Sequence, residues 1–520
     1  MRNAVVVVGS GAAGLAAALA AADAGAAVTL LERAEHLGGT TAISGGIAWI
    51  PASDAARAAG VDDSPADALT YLRALGLGDF DDALASVFAH DAARVARTIE
   101  ATTPLEWVLL PDWPDYQSHL PGGREGGRSI WPAPLAVAPE LAARIQPTPE
   151  VPAPPVDAGA PLTDALVLRG PVRGRVLVAG LLVALLERGV DVRTRARARR
   201  LATDAHGRVR GVVLDDGETV PGAVVLATGG FQHDPALVRA FLPAPGIAAL
   251  GPPGCSGDGL RMAAGAGADL ANMADAWWMP ALRVPGETID GARFFRPLHH
   301  ERAQPGSLMV DRHGRRFVDE AQNYCDVGRA MLRFDPGTYG WPAAPAWLVF
   351  DRAYRERTVV GPVAPDDDDP EWMHRADTVG ALADRIGVDA GTLTASVERF
   401  NAHAVRGADP DFGRGDHPYD RWIGDQQVAH PNLAPLCTPP YYAVQVHAGC
   451  LGTKGGPRTD GDGRVLRPDR VPISGLFAAG NAAASPFGIG TPGGGGTIGP
   501  ALVFGTRAGE AAATCGETGP

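Results

Sequence analysis

The sequence predicts an α/β fold, a Rossmann-like domain interrupted by an α+β capping domain. Three observations predict it. A β-branched run, Ala4–Val8, leads straight into a glycine-rich turn and an alanine-rich stretch. Glycine concentrates in residues 9–46, 449–463 and 480–509, towards the two ends of the chain. Between them, residues 273–439 hold most of the tryptophans, the acidic run 366–369 and long loops.

Each element follows from its residues. Ala4–Val8 reads as a buried parallel strand, residues 14–24 as a helix and residues 28–31 as a second strand, which makes a βαβ unit. Residues 65–75 and 82–101 have helical periodicity. The proline-heavy stretch 132–161 is a linker or a surface loop near the active-site mouth. A helix is expected over 175–188, then strands at 190–193, 208–214 and 223–227. Arg193, Arg195, Arg197 and Arg199 alternate at strand period and are expected on one solvent face. The division is therefore 1–272 and 440–520 for the nucleotide-binding domain and 273–439 for the capping domain.

Composition excludes other classes. The chain has 520 residues and is 46% hydrophobic, enough to bury a large core rather than stay disordered. A net charge of −13 argues against nucleic acid as a partner. The 5 cysteines form no C-x-x-C pair, so a disulfide framework and a zinc site are not expected, and reduced thiols point to the cytoplasm. Residues 4–22 are almost wholly apolar, but Gly9, Gly11, Gly14 and the following Asp23 mark a buried strand–turn–helix, not a transmembrane segment. No metal is expected: His299-His300-Glu301 lacks ligand spacing and reads as a solvated loop, and residues 366–369 as an exposed acidic turn.

The first chemistry-bearing motif is Gly9-Ser10-Gly11-Ala12-Ala13-Gly14, a G-x-G-x-x-G between strand and helix. Its glycines allow the tight turn, the backbone's approach to a pyrophosphate and close helix–strand packing. The helix N-terminus adds N–H donors and a favourable dipole. Glu32, at the end of the second strand, can accept from ribose hydroxyls, which fits FAD or NAD better than NADP.

Further stretches choose between these cofactors by resemblance. Residues 38–46, Ala227-Thr228-Gly229-Gly230, Gly257-Asp258-Gly259 and Leu476-Phe477-Ala478-Ala479-Gly480-Asn481 resemble motifs of the fumarate reductase/succinate dehydrogenase-type flavoproteins, in family order. The resemblance implies FAD. It places Ala12, Ala13, Arg33, Gly39, Thr40, Thr41, Ser44, Gly45 and Gly46 around the cofactor. It adds Ala198, Asp258 and Asn481, and Gly496, Thr497 and Ile498 at the flavin loop. Relatives with covalent flavin carry a histidine within 38–46; this chain has none, which implies non-covalent FAD.

The stretch Arg316-Phe317 to Tyr324 resembles the fumarate-reductase pattern, except that tyrosine stands where that family has its proton-donating arginine. Tyrosine there resembles the 3-ketosteroid Δ1-dehydrogenases. So do Asp115-Tyr116 followed by Pro121-Gly122-Gly123, Leu451-Gly452-Thr453-Lys454-Gly455-Gly456-Pro457, and residues 493–504. The resemblance implies an FAD-dependent dehydrogenase that introduces a C=C bond beside the ketone of a cyclic substrate. Tyr324 would be the base, Tyr116 its hydrogen-bond partner, and the Gly495 N–H would face the ketone oxygen. Electrons would pass to a quinone, oxygen or a protein carrier. The family's further tyrosine is replaced by Thr491, a shorter and less acidic donor; Tyr442 and His447 are candidates for the missing hydrogen bond. The same positions also suit an ene-reductase acting on an enone, and Thr491 leaves room for a catalytically altered flavin-binding protein.

Overall fold

The structure, a computed structural model, describes residues 3–148 and 172–515. The part of the proline-rich stretch beyond residue 148 lies outside the described residues.

The first sheet places Ala4–Val8 at its centre, between Ala27–Leu31 and Ala223–Leu226. Asp191–Arg193 flanks it on one side and Pro472–Ala478 on the other, all five parallel, with Arg464–Leu466 as an antiparallel edge. The strands are β-branched and apolar because both faces are covered, one by helices and the other mainly by a small antiparallel sheet of Ala198–Thr203, Val209–Leu214 and Thr219–Pro221. The covering helix Ala12–Asp23 begins as soon as the glycine turn releases the chain. The C-terminal helix Ile498–Thr514 lies directly on it. Small residues permit this closeness: a Cβ on Gly505 would sit 2.4 Å from the Ala13 carbonyl oxygen, and one on Gly509 2.1 Å from that of Ala17.

The second large sheet is organised by a single long strand, Tyr441–Thr453. It pairs antiparallel with Ala276–Leu282, Ala346–Asp351 and His374–Ala376, and parallel with Ala248–Ala249. Residues on both sides of 273–439 thus contribute strands to the capping sheet. Tyr441–Thr453 runs on into the glycine-rich C-terminal part, so this strand ties the cap to the cofactor domain.

The arginine series is not one strand. Asp191–Arg193 ends, Arg195 takes φ 56, and Ala198–Thr203 starts another sheet. The left-handed residue breaks the alternation. Arg193 and Arg195 pair with surface carboxylates, whereas Arg197 turns inward to Asp258.

Candidate active site

The glycine turn is as tight as its spacing suggests. Gly9 has φ +109, and a Cβ there would lie 2.3 Å from the Ala227 carbonyl oxygen. A Cβ on Gly14 would lie 1.8 Å from the Gly9 oxygen. Glu32 is buried beside this turn: its Oε2 accepts from the Ser10 N–H at 3.1 Å and the Ser10 hydroxyl at 2.6 Å, and its Oε1 from the Ala34 N–H at 2.9 Å. Thr41 Oγ1 accepts from the Ala12 N–H at 3.0 Å, drawing residues 39–42 against the helix start. On the far side of Glu32, Asp258 pairs with Arg33 at 3.2 Å and with Arg197 at 2.7 Å, next to the buried Ala198. Asn481 accepts from Trp277 Nε1 at 3.1 Å. The Thr228 hydroxyl, at the end of Ala223–Leu226, is buried with no hydrogen-bond partner. These groups fit FAD. The glycine turn leaves room for a pyrophosphate, Glu32 has acceptor capacity for a ribose, and an orphaned hydroxyl lies at the strand ends, where doubly wound sheets bind ligands.

From this cradle a cavity of about 360 Å³ opens between the two sheets. Ser44, Gly45, Gly46, Gly495, Thr497 and Ile498 line it together with Tyr116, Tyr324, His299 and His300. Gly495 takes φ +89, and a Cβ on it would lie 2.5 Å from the Ile47 carbonyl oxygen. Only glycine fits there.

Tyr324 opens the helix Tyr324–Met331, whose N-cap is Asn323: its side chain accepts from the N–H groups of Cys325 and Asp326, both at 3.1 Å. Gly328 lets the helix settle on Ala276–Leu282, since a Cβ there would lie 2.7 Å from Trp278 Cβ. The preceding motif is structural: Glu320 is gripped by Arg316 at 2.8 Å and Arg414 at 3.0 Å, and Arg316 also pairs with Asp409 at 2.8 Å, all buried. Arg316 and Glu320 thus hold the segment that delivers Tyr324.

Tyr116 arrives on a loop anchored by Asp115. That carboxylate accepts from Trp49 Nε1 at 2.7 Å and Arg128 Nη1 at 2.8 Å, and Arg128 pairs again with Asp63 at 2.6 Å. Burial pushes Asp115 up to about 6 against the pull of Arg128. The Tyr116 N–H donates to the Pro492 carbonyl at 3.1 Å, and Gln117 donates to Asp326 at 2.7 Å, tying this loop to the Tyr324 helix.

Four rings form the site's core. Tyr116 meets Tyr324 edge-on at 5.4 Å and Tyr419 at 4.8 Å; His299 lies 5.4 Å from Tyr324, with its Nε2 3.5 Å from the Tyr419 hydroxyl. Burial pushes Tyr324 up to about 12, and the hydroxyl of Tyr116, donating to it, draws it back. Burial also raises Tyr116 well above the usual tyrosine value, and the bond it gives to Tyr324 adds to the rise. Burial also holds both histidines neutral, His299 well below its usual value and His300 at about 3. The His299-His300 pair therefore forms part of the cavity wall, not a solvated loop, because Arg296, Leu298, Arg302 and Ala303 on either side are buried.

Thr491 is placed differently from Tyr324 and Tyr116. It is buried, its hydroxyl has no partner, and it is not on the cavity wall. Its loop is clamped from behind, where Lys454 Nζ donates to the carbonyls of Gly488, Ile489 and Gly490 at 3.1, 2.7 and 3.0 Å. Tyr442 stacks on Phe350 at 5.4 Å and His447 meets Phe295 at 5.4 Å; neither lines the cavity. Sequence reading missed His299 and Tyr419. The adjacent Tyr419-Asp420 and His299-His300 carry no spacing signal, and only the fold brings them to Tyr324.

The FAD binding domain family matches residues 4–498. The chain is 42% identical to a 4-oxocyclohexanecarboxylate 2-dehydrogenase of Sinomonas cyclohexanicum, over 97% of this chain and 92% of that one. It is 36% identical to a 3-oxosteroid 1-dehydrogenase of Mycobacterium tuberculosis, over 96% of each. Among solved structures it superimposes on the 3-ketosteroid Δ1-dehydrogenase of Sterolibacterium denitrificans in complex with 1,4-androstadiene-3,17-dione. The TM-score is 0.90 at 34% identity, covering 98% of this chain and 100% of that one.

Proposed function

The chain belongs to the FAD binding domain family, and from that premise we propose that it is an FAD-dependent dehydrogenase that forms a C=C bond beside the carbonyl of a ring ketone. The observation that carries this reading is the edge-on pair of Tyr116, buried, and Tyr324, half-buried, lining one cavity together with Gly495. FAD, when bound, supplies the hydride acceptor. It would be held by the N–H groups of Gly11 and Ala13 at the helix start, beside the Ala12–Thr41 hydrogen bond, and by Glu32 at the ribose. Ala198, Thr228 and Gly229 would lie towards the adenine side, Asn481 at the linking chain, and Gly45, Gly46, Gly496, Thr497 and Ile498 at the ring system. Arg33 and Asp258 act on this cofactor one step removed, by fixing the turn after Glu32.

The chain's own part is proton chemistry. The ketone oxygen lies against the Gly495 N–H, a fixed donor where negative charge develops. Tyr324, as tyrosinate, takes the α-proton: the substrate C–H bond breaks, an O–H bond forms, and the electron pair moves into the ring towards the carbonyl. The Tyr116 hydroxyl donates to the Tyr324 oxygen and stabilises its ionised form. The apolar walls around the pair exclude water from the forming enolate. The electrons leave afterwards to an external acceptor, a quinone, oxygen or a protein carrier. The cysteines, all unpaired, suit a reducing cytoplasm.

The test is anaerobic mixing of the holoenzyme with saturated ring ketones, both 4-oxocyclohexanecarboxylate and a 3-ketosteroid. Loss of oxidised-flavin absorbance with formation of the enone is expected with at least one of them. Absence of bleaching with the whole panel, while enones reoxidise the chemically reduced enzyme, would reverse the direction to ene-reduction.

A further inference from the structure

The proposed base and the proposed oxygen donor sit on different parts of the fold. Tyr324 opens a helix that lies on the capping sheet, whereas the Gly495 N–H belongs to a loop leading into the C-terminal helix of the cofactor domain. That loop is poor at holding its own shape. Residues 488–496 are mostly glycine, which loses the most conformational freedom on folding and offers no side chain to pack. Its shape therefore depends on donors from elsewhere. Towards its end these lie outside the cap: Ser129 Oγ donates to the Gly494 carbonyl at 2.9 Å, and the Trp49 N–H to that of Gly495 at 3.1 Å. Its beginning is held from the cap.

Ala276 pairs with Thr453 where two strands of the capping sheet meet. Asp275 and Lys454 therefore lie side by side just beyond that pair, and the Lys454 N–H donates to the Asp275 carbonyl at 3.0 Å. The carbonyls of Gly488, Ile489 and Gly490 converge on the Lys454 ammonium, a compact group with three donors. That ammonium is fully buried, 3.1 Å from Asp275 Oδ2 and over the Trp277 ring at 4.6 Å. Arg329 joins the same point from the helix that Tyr324 opens. Its Nη2 donates to Asp275 Oδ2 and to the Ile489 carbonyl, both at 3.0 Å. Its Nη1 pairs with Asp326 at 3.1 Å, the carboxylate that Gln117 of the Tyr116 loop also reaches. Burial would raise Asp275, but Lys454 and Arg329 together hold it below the usual carboxylate range, so an anion sits between two cations. The Ile489 carbonyl thus accepts from both cations, one on each side of the join between cap and loop.

We propose that Arg329, with Lys454 and Asp275, sets the separation of Tyr324 from the Gly495 N–H by tying the Tyr324 helix to the start of the glycine loop. This rests on the reading of Tyr324 as base and of Gly495 as donor to the ketone oxygen. Arg329 is a positioning residue: it is not on the cavity wall, and it acts through the helix that carries Tyr324 and the loop that carries Gly495. The α-proton and the ketone oxygen are fixed relative to each other by the substrate's own bonds. The base and the donor must match that spacing, and a misplacement of about 1 Å can cost about a hundredfold in rate. The planar fork of an arginine reaches three partners at once here, which a lysine at the same place would not.

The test measures anaerobic flavin reduction by a saturated ring ketone in FAD-loaded wild type, Arg329→Met, Arg329→Lys, Tyr324→Phe and the Tyr324→Phe/Arg329→Met double variant. Arg329→Met is expected to keep its flavin and to lose about tenfold or more in the limiting rate, with the half-saturating ketone concentration within about threefold of wild type. Its rate should still climb with pH as in wild type, because the base itself is intact. Arg329→Lys keeps a cation beside Asp275, so it should melt within a few degrees of wild type and still reduce flavin about fivefold or more slowly. In the Tyr324→Phe background, Arg329→Met should change the rate by less than about twofold, since the group it positions is gone. A merely structural role would lower the melting temperature and multiply its effect onto Tyr324→Phe. A wild-type limiting rate in either Arg329 single variant overturns the proposal. So does a loss confined to the half-saturating concentration, or an equal fold-loss with and without Tyr324. Full activity of Tyr324→Phe would instead overturn the reading of Tyr324 as base.

Discussion

At Gly9, Gly14 and Gly495 there is no room for one additional carbon atom, whereas the pocket around Tyr324 is made of large side chains brought from separate stretches of chain. The cofactor cradle works through backbone: N–H groups at a helix start, a turn with φ +109, strands ending together. The reacting pocket works through side chains whose titration is set by burial and by one another. Backbone recognition needs residues at fixed short spacing. Side-chain chemistry needs only that the fold bring the right groups together. The first region tolerates almost no substitution, and the second should respond in graded, pH-dependent ways.

The contrast breaks most sharply at the cradle. Gly14→Ala places a methyl 1.8 Å from the Gly9 oxygen, so the strand–helix contact must open. The expected outcome is protein that purifies without flavin or fails to fold, read from its absorbance and thermal melt. Next comes the anchor of the Tyr116 loop. Arg128→Met leaves Asp63 and Asp115 buried and unpaired, which should cost about 3–5 kcal/mol in unfolding free energy by denaturant titration.

Tyr116→Phe should be milder. It removes one hydrogen bond to a charged oxygen, worth about 1.5–3 kcal/mol, so flavin reduction should slow by about tenfold to a hundredfold with flavin retained. The smallest effect is expected at Thr491. Its buried hydroxyl has no partner and does not reach the cavity, so Thr491→Ala should change stability by less than about 1 kcal/mol and leave reduction nearly unaltered. A large loss of turnover there would bring Thr491 back into the chemistry.

How much of this was legible in the sequence follows the same line. Ala4–Val8, the turn through Gly14, and Glu32 could be read directly, because each acts on its near neighbours in the chain. Tyr324 and Tyr116 were reached by resemblance, since a lone tyrosine carries no signal of its own. His299 reads as an ordinary loop residue until the buried Arg296, Leu298 and 302–303 segment fold it inward. Tyr419 lies 95 residues beyond Tyr324, and only tertiary packing brings both against Tyr116. The capping sheet was hidden for a related reason: its organising strand, Tyr441–Thr453, begins beyond the segment whose composition marks the cap.

The proposed chemistry turns on Tyr324 acting as a half-buried tyrosinate base. With burial holding it up at about 12, the ionised fraction near neutral pH is small and rises tenfold with each pH unit. The direct measurement is the rate of anaerobic flavin reduction by a saturated ring ketone, from neutral to alkaline pH, in wild type and Tyr324→Phe. The wild-type rate should climb about tenfold per pH unit. The phenylalanine variant should keep its flavin, be slower by a factor on the order of a hundred to ten thousand, and show no such climb. A phenylalanine variant matching wild type in rate and slope would remove Tyr324 from the chemistry.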